Sequence, residues 1–101
     1  MDLDKEGFLT NYLDWQPEFA PELAANEDIE LTAAHWEVID LVRDYYQRYH
    51  VSPTTRVLTK IVKDAFGADK VKSIYLMGLF TPKAAKMVAK IAGLPKPNNC
   101  D

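Results

Sequence analysis

Cysteine is nearly missing from this sequence: its 101 residues include one, Cys100, at the penultimate position. A single cysteine excludes an internal disulfide and a Cys-x-x-Cys redox pair, so any redox or sulfur chemistry must involve a second molecule. The last residues of a domain are usually its least ordered part, which argues against a packing role for this side chain. We therefore expect Cys100 to act between proteins or not at all.

Long apolar runs are also absent. No stretch approaches the ~20 consecutive apolar residues that a membrane-spanning helix requires, and the start of the chain lacks the basic and then apolar pattern of a secretory signal. Hydrophobic residues still make up 48% of the chain, which suffices for the one core that a chain of this length supports. The sequence predicts a single cytoplasmic domain over residues 1–101, with no membrane partner.

Groups that would hold a metal or a phosphate are scarce. The four glycines are isolated, so no phosphate-binding glycine loop is present. His35 and His50 are separated by about 22 Å along one predicted helix, with no cysteine near either of them. No serine, histidine and acid share a spacing that indicates a hydrolase. We expect no metal and no cofactor, and interpret both histidines as surface or helix-end residues.

Charge is divided unevenly between the two halves of the chain. Residues 1–51 carry twelve acidic and three basic side chains, a net charge of −9, whereas residues 52–101 have a net charge of +6. One interpretation is that the halves fold against each other and their charges face across a seam. The other is that the basic half docks an acidic protein or RNA, because such a field steers encounters. The sequence leaves both open.

The segment DLDKEGFLTN at residues 2–11 alternates briefly between apolar and polar positions around a glycine. This pattern predicts a small β-hairpin or meander before residue 12. Asp14 is a candidate N-cap for a short helix that follows, in which Pro21 would have to lie in the first turn.

Helical periodicity dominates the rest of the chain. Thr32 is the expected N-cap of the most strongly periodic helix. In the next helix, Ser52 is the expected N-cap, Pro53 the expected first residue and Gly67 the residue that ends it. The expected helices cover residues 18–26, 33–49, 53–66, 70–80 and 82–92, with the second as the central one. The expected buried residues include Val38, Val42, Ile61, Val62, Leu79 and Val88. The predicted fold class is α+β, a small N-terminal sheet packed on about five helices.

The last nine residues, 93–101, are predicted to form a flexible C-terminal arm. Pro95 and Pro97 remove two backbone donors and favour an extended chain after Gly93. At about 3.1 Å per residue such an arm reaches on the order of 20 Å. A thiol on this arm, unlike one on a globular surface, can enter the active site of another protein.

The charges near Cys100 do not favour an activated thiol. Asp101 and the terminal carboxylate adjoin it, and Lys96 is the nearest cation in sequence. Negative neighbours stabilise the protonated form, so we expect a slow nucleophile until a partner supplies positive charge. This pattern suits a carrier better than a self-sufficient enzyme.

Residues 53–80 offer an alternative of another class. Two helices separated by a short turn are compatible with a helix-turn-helix that reads DNA through Lys70, Lys72 and Ser73. The chain as a whole is acidic, with a pI near 5.3, against the basic footprint expected of such proteins. DNA binding therefore ranks below the thiol.

Four stretches resemble a known family: DKEGFL at 4–9, HWEVIDLVRDYY at 35–46, SPTTR at 52–56 and, most specifically, KIAGLPKPNNC at 90–100. Together they are similar to the TusE/DsrC/DsvC family of sulfur-carrier proteins over essentially the whole chain. The resemblance implies a small meander packed on a helical array, with a flexible arm whose penultimate cysteine carries sulfur. It implies Cys100 as the site, in the form of a persulfide intermediate.

One position separates the branches of that family. Members that serve dissimilatory sulfite reductase have a second cysteine eleven residues before the penultimate one, where this chain has Ala89. The remaining branch, typified by TusE, implies a TusBCD-like sulfur donor and an MnmA-like tRNA thiouridylase that modifies the wobble uridine. Pro95, Lys96 and Pro97 would shape the arm. A role as the sulfur-carrying partner of sulfite reductase subunits is the alternative.

Two features depart from the family pattern. The chain has LFTPKAAK at 79–86 where many relatives have an LFPxGP-like turn, and it ends in the charged Asp101 where the final residue is usually apolar. Several cations precede or flank the arm and are expected to be exposed and to steer docking, so that reversing Lys86 and Lys90 should hardly change stability. These cations are Arg56, Lys83, Lys86, Lys90 and Lys96.

Overall fold

A computed structural model describes residues 1–67 and 73–97, and in these ranges the chain forms five α-helices and one short 3-10 turn. Each of the five predicted helices is present, although residues 70–72 of the fourth lie outside the described residues. The 3-10 turn covers Tyr12–Asp14. The helices are α1, Phe19–Ala25; α2, Ala33–Tyr49; α3, Thr55–Phe66; α4, Ser73–Phe80; and α5, Ala84–Ile91.

The predicted N-terminal β-meander is wrong, and with it the α+β class: the described residues form a helical fold without a β-strand. One isolated antiparallel bridge joins Leu3 to Leu9. The Asp4 carboxylate accepts hydrogen bonds from the backbone N–H groups of Glu6 and Phe8, both at 2.9 Å, and so takes donors that a strand ladder would need. Phe8 and Leu9 are both buried, which breaks the alternation of a half-buried strand.

Helix α5, rather than the longer α2, is the centre of the packing, because it contacts all four other helices. Small side chains on α5 explain how so many neighbours can approach it. Ala84, Ala85 and Ala89 are buried there together with Val88 and Ile91. The expected central role of α2 is therefore corrected, although its buried face contributes Val38, Ile39 and Val42 to the same core.

Helix α2 begins where predicted, and its first turn joins it to α4. The backbone N–H of Thr32 donates to Nδ1 of His35 at 2.9 Å, while Nε2 of His35 lies 2.8 Å from the carbonyl oxygen of Leu79. Since a carbonyl can only accept and a backbone N–H can only donate, Nε2 is the ring donor and Nδ1 the acceptor. His35 is a helix-end residue as expected, but it is buried rather than on the surface.

Helix α3 begins two residues later than predicted. Its N-cap is Thr54, in an extended conformation, and Thr55 is the first helical residue. Ser52 and Pro53 are buried before the helix starts. The Ser52 hydroxyl donates to the carbonyl oxygen of Pro95, so it bonds a distant segment instead of capping the helix next to it.

The buried face of α3 also differs in part from the prediction. Leu58 and Val62 are fully buried, whereas Ile61 is only partly buried and lines a groove between α2 and α3. Leu79 on α4 is likewise partly buried. The other four predicted core residues, Val38, Val42, Val62 and Val88, are confirmed.

The oppositely charged halves meet in the fold. Nζ of Lys90 lies 3.4 Å from a carboxylate oxygen of Glu27 and 5.1 Å from the ring centre of Phe8. The Lys90 side chain is only 9% exposed, so the expectation that it belongs to an exposed basic patch is wrong. Lys96 pairs with Glu6 at 3.1 Å across the same two halves. Some of the opposite charges of the two halves thus pair with each other within the protein.

Among residues 1–67 and 73–97, no helix has the length and apolar character needed to cross a membrane. The same part of the chain holds no group of three or more histidine, cysteine, aspartate or glutamate side chains placed to bind a metal ion.

Candidate functional site

The segment that leads to the C-terminus leaves α5 through a tight helix-ending turn. The N–H of Leu94 donates to the carbonyl of Ala89 at 2.8 Å, and the N–H of Gly93 donates to that of Lys90 at 3.2 Å. Gly93 has a φ of +74°. These two bonds and the left-handed residue form a Schellman motif, in which glycine is favoured because a side chain is strained there.

Trp15 packs directly on this turn. Its Nε1–H donates to the carbonyl oxygen of Ile91 at 3.1 Å. A Cβ atom placed on Gly93 would lie 2.6 Å from Cγ of Trp15 and 2.8 Å from its Cβ, well inside van der Waals contact. Glycine is therefore required at this position for two reasons, the backbone conformation and the indole ring that covers it.

Arg43 also packs on the indole. Its guanidinium carbon lies 4.0 Å from the centre of the Trp15 ring, a cation–π contact. Nη1 of Arg43 donates to the carbonyl oxygen of Ala92 at 2.7 Å. Burial lowers the pKa of Arg43, an effect opposed by the nearby Tyr12. A guanidinium keeps its charge in proteins, and a cation at a helix C-terminus is stabilised by the helix dipole.

The next four residues continue along the body of the protein. Leu94 is 1% exposed and belongs to the core, and Pro97 is also buried. Between them, the carbonyl of Pro95 accepts the hydrogen bond from Ser52. We call residues 93–97 together with Trp15, Arg43 and Ser52 the arm base. It ties the start of the C-terminal segment to α2, to α5 and to the loop before α3.

A small recess opens beside the arm base. It has a volume of about 120 Å³. His50 ends α2 there in a left-handed conformation, with a φ of +57°, and so is a helix-end residue as predicted. The residues that line the recess are Tyr46, His50, Val51, Ser52, Pro95 and Lys96.

The predicted site residue, Cys100, lies outside the described residues, as do Asp101 and the two lysines of the helix-turn-helix alternative, Lys70 and Lys72. The structure describes instead how the chain is held up to Pro97. Trp15, Arg43 and Ser52 were not predicted as site residues, since their partners are backbone carbonyls more than forty residues away. The local signals at the arm base were Gly93, which follows the last predicted helix, and Pro95 and Pro97, which favour an extended chain.

Comparison with known proteins gives a consistent result. The family described as DsrC like protein matches residues 1–100. A relative from Haemophilus influenzae, named sulfurtransferase TusE homolog, is 48% identical over 99% of this chain and 92% of its own. The sulfurtransferase TusE of Yersinia pseudotuberculosis is 46% identical over 99% of this chain and 93% of its own.

Solved structures agree with the sequence relatives. The NMR structure of DsrC from Allochromatium vinosum superimposes with a TM-score of 0.88 at 43% identity, covering 98% of this chain and 88% of that one. The oxidised gamma-subunit of dissimilatory sulfite reductase from Archaeoglobus fulgidus superimposes with a TM-score of 0.83 at 36% identity, covering 100% and 92%. At these identities the likeness extends beyond the shape of the fold.

Proposed function

The chain belongs to the DsrC-like protein family, and from that premise we propose that it is a sulfur carrier whose carrier residue is Cys100. In this function the protein accepts persulfide sulfur and relays it to a tRNA thiouridylase for 2-thiolation of the wobble uridine. The observation that carries the proposal is the identity of 46–48% over nearly the whole chain to relatives named sulfurtransferase TusE.

The chemistry needs one thiol and two exchange steps. The Cys100 thiolate attacks the outer sulfur of a donor persulfide; the sulfur–sulfur bond of the donor breaks, and the donor cysteine leaves as a thiolate. Cys100 then carries the persulfide. In the second step a thiolate of the acceptor attacks the outer sulfur, and Cys100 leaves as a thiolate. No electrons are gained or lost overall, so neither a cofactor nor a second cysteine of this chain is required.

The arm base supports this proposal by limiting how far the carried sulfur can travel. Residues 93–97 are held against the body, so the position of Pro97 rather than that of Gly93 sets how far from the body Cys100 can lie. The three residues from Pro97 to Cys100 span at most about 11 Å when fully extended. A partner must therefore approach closely to the arm base. Its pocket must also supply positive charge that stabilises the Cys100 thiolate, because the adjacent Asp101 carboxylate favours the protonated thiol.

The proposed partners follow from the family. They are a donor complex similar to TusBCD and an acceptor similar to MnmA. The competing role is that of a sulfite reductase partner, which the gamma-subunit among the solved relatives favours. Against it stands Ala89, which is fully buried in α5 where that branch has its second cysteine. With one cysteine in the chain, a disulfide or trisulfide within the protein is excluded.

Intact-mass measurement after incubation with a persulfide donor protein tests the proposal. Because the chain has one cysteine, any added sulfur that dithiothreitol removes was on Cys100. We expect the wild type to gain the mass of one sulfur atom and to pass it to the acceptor, and Cys100→Ser to gain none. The matched control is Ala89→Ser, which keeps Cys100. Undiminished tRNA thiolation by Cys100→Ser in cells would show that this cysteine is not the carrier.

A further inference from the structure

Helix α3 presents a row of cations to solvent. Arg56, Lys60 and Lys63 are all exposed, and they fall within about 60° of arc at ~100° per residue. The row lies away from Leu58 and Val62, the residues by which α3 packs on the core. It is about 10 Å long at ~1.5 Å per residue. We call these three residues the basic face of α3.

These cations are not used inside the described part of the fold. The ion pairs of residues 1–67 and 73–97 involve Arg48, Lys90 and Lys96, and none includes a residue of the basic face. The acidic residue of the same helix, Asp64, lines the groove between α2 and α3 together with Asp44, to one side of the row. Three exposed positive charges therefore remain for a ligand.

The surroundings of the basic face indicate which ligand it fits. Protein interfaces are built around buried apolar and aromatic anchors. Among the described side chains, the exposed large apolar ones are Met1, Leu13, Tyr49 and Val51, and none of them is on α3. Phosphate contacts need only cations with their hydrogen-bond donors, from lysine, arginine or polar side chains.

We propose that the basic face of α3 binds the phosphate backbone of the tRNA whose uridine receives the sulfur. This inference rests on the proposed function, and it adds a direct contact between the carrier and the RNA. Its position suits that role, because Arg56 lies four residues after Ser52, the residue that holds Pro95 of the arm base. At most about 14 Å of chain separates the two, so the RNA contact starts near the origin of the arm.

Binding of a labelled tRNA transcript with a wobble uridine to the full-length, sulfur-free protein tests the proposal. Three phosphate contacts predict that affinity falls about 20- to 40-fold between roughly 50 and 200 mM salt. The triple variant Arg56→Gln, Lys60→Gln, Lys63→Gln should lose most of that dependence and bind about tenfold more weakly at the lower salt. Thermal melting of each variant checks that the fold is intact.

The matched control is Lys5→Gln, Lys83→Gln, Lys86→Gln, which has the same net charge but alters cations elsewhere. Retained tRNA binding by the control supports the assignment, and equal loss in both triple variants overturns it. Absent tRNA binding by the wild type also overturns it. A loss of binding to the acceptor protein in the absence of tRNA would assign the face to a protein instead. Because the binding assay needs no sulfur on Cys100, its failure is distinct from failure of the carrier proposal.

Discussion

The cations at and beside the arm base have different surroundings from the cations of the basic face of α3. At the arm base and beside it, Arg43 bonds the end of α5, Lys90 pairs with Glu27, and Lys96 pairs with Glu6. On α3, by contrast, the three cations of the basic face are exposed and make no ion pair with the described residues. Basic residues thus stabilise the fold near the arm base, whereas those on α3 are exposed to solvent and could contact a ligand.

This difference bears on the two interpretations of the charge division. A seam between acidic and basic halves exists, since Lys90 and Lys96 each find a carboxylate from residues 1–51. The seam does not include α3. Burial explains the pairing of Lys90, which is 9% exposed, because a cation removed from water must be paired, whereas an exposed one is already solvated. The following predictions test the contrast, from the largest expected effect to the smallest.

Gly93→Ala should have the largest effect. The substitution adds strain at a positive φ, about 1–2 kcal/mol, and an overlap with Trp15 of about 1–3 kcal/mol, so we expect a loss of roughly 2–5 kcal/mol in the free energy of unfolding. Urea denaturation measures it. Gly78→Ala is the control, because its Cβ meets nothing within 4 Å on α4 and should stabilise by ~0.5–1 kcal/mol. A Gly93→Ala loss no larger than 1 kcal/mol would contradict the packing of Trp15.

Lys90→Glu should cost about 3 kcal/mol or more in unfolding free energy, because it places a second carboxylate beside Glu27 at a position that is 9% exposed. Lys60→Glu, on the basic face of α3, makes the same change of charge in water and should cost less than ~0.5 kcal/mol. Chemical denaturation of both variants compares the two regions directly. Equal losses would show that the distinction between paired and exposed cations is wrong.

Arg43→Lys keeps the charge but loses the planar group that stacks on Trp15 and bonds Ala92. We expect about 1–2 kcal/mol of destabilisation from these contacts. Arg48→Lys on the same helix is the control, since its side chain is 69% exposed and should change stability little. Sulfur transfer to the acceptor should also slow in Arg43→Lys, because the arm base directs the segment that carries Cys100. If Arg43→Lys is destabilised but transfers sulfur at the wild-type rate, Arg43 contributes to folding and not to sulfur transfer.

Lys96→Gln should have the smallest effect. Both side chains of its pair with Glu6 are nearly half exposed, 42% and 47%, and such pairs contribute ~0.2–1 kcal/mol that salt screens. Unfolding measured at low and at high salt should show a difference from wild type that shrinks with salt. Lys5→Gln, another exposed cation, provides the comparison. A salt-independent loss would indicate that Lys96 acts through contacts other than its charge.

Much of the helical framework could be predicted from local signals. Thr32, Gly67 and Gly93 mark helix ends by conformational preference, and periodic apolar residues mark the faces of α2, α3 and α5. The N-terminal meander could not be excluded in this way, because DLDKEGFLTN satisfies the pattern of a hairpin. In the structure the Asp4 carboxylate bonds the N–H groups of Glu6 and Phe8. A short alternating pattern does not reveal that a side chain will take these donors.

The features of the candidate site likewise fall into those that local sequence predicts and those that it does not. The sequence by itself determined that one thiol stands at the end of a segment broken by prolines, that the halves of the chain have opposite charge, and that glycine ends α5, because composition and local backbone preference decide these matters. Only the tertiary structure decided that Trp15 and Arg43 cover Gly93 and that Ser52 holds Pro95 rather than capping α3. The same holds for Lys90, buried against Glu27 while the cations of α3 remain in water. These outcomes depend on which distant groups compete for one carbonyl, one ring face or one carboxylate, and that competition exists only once the helices are packed.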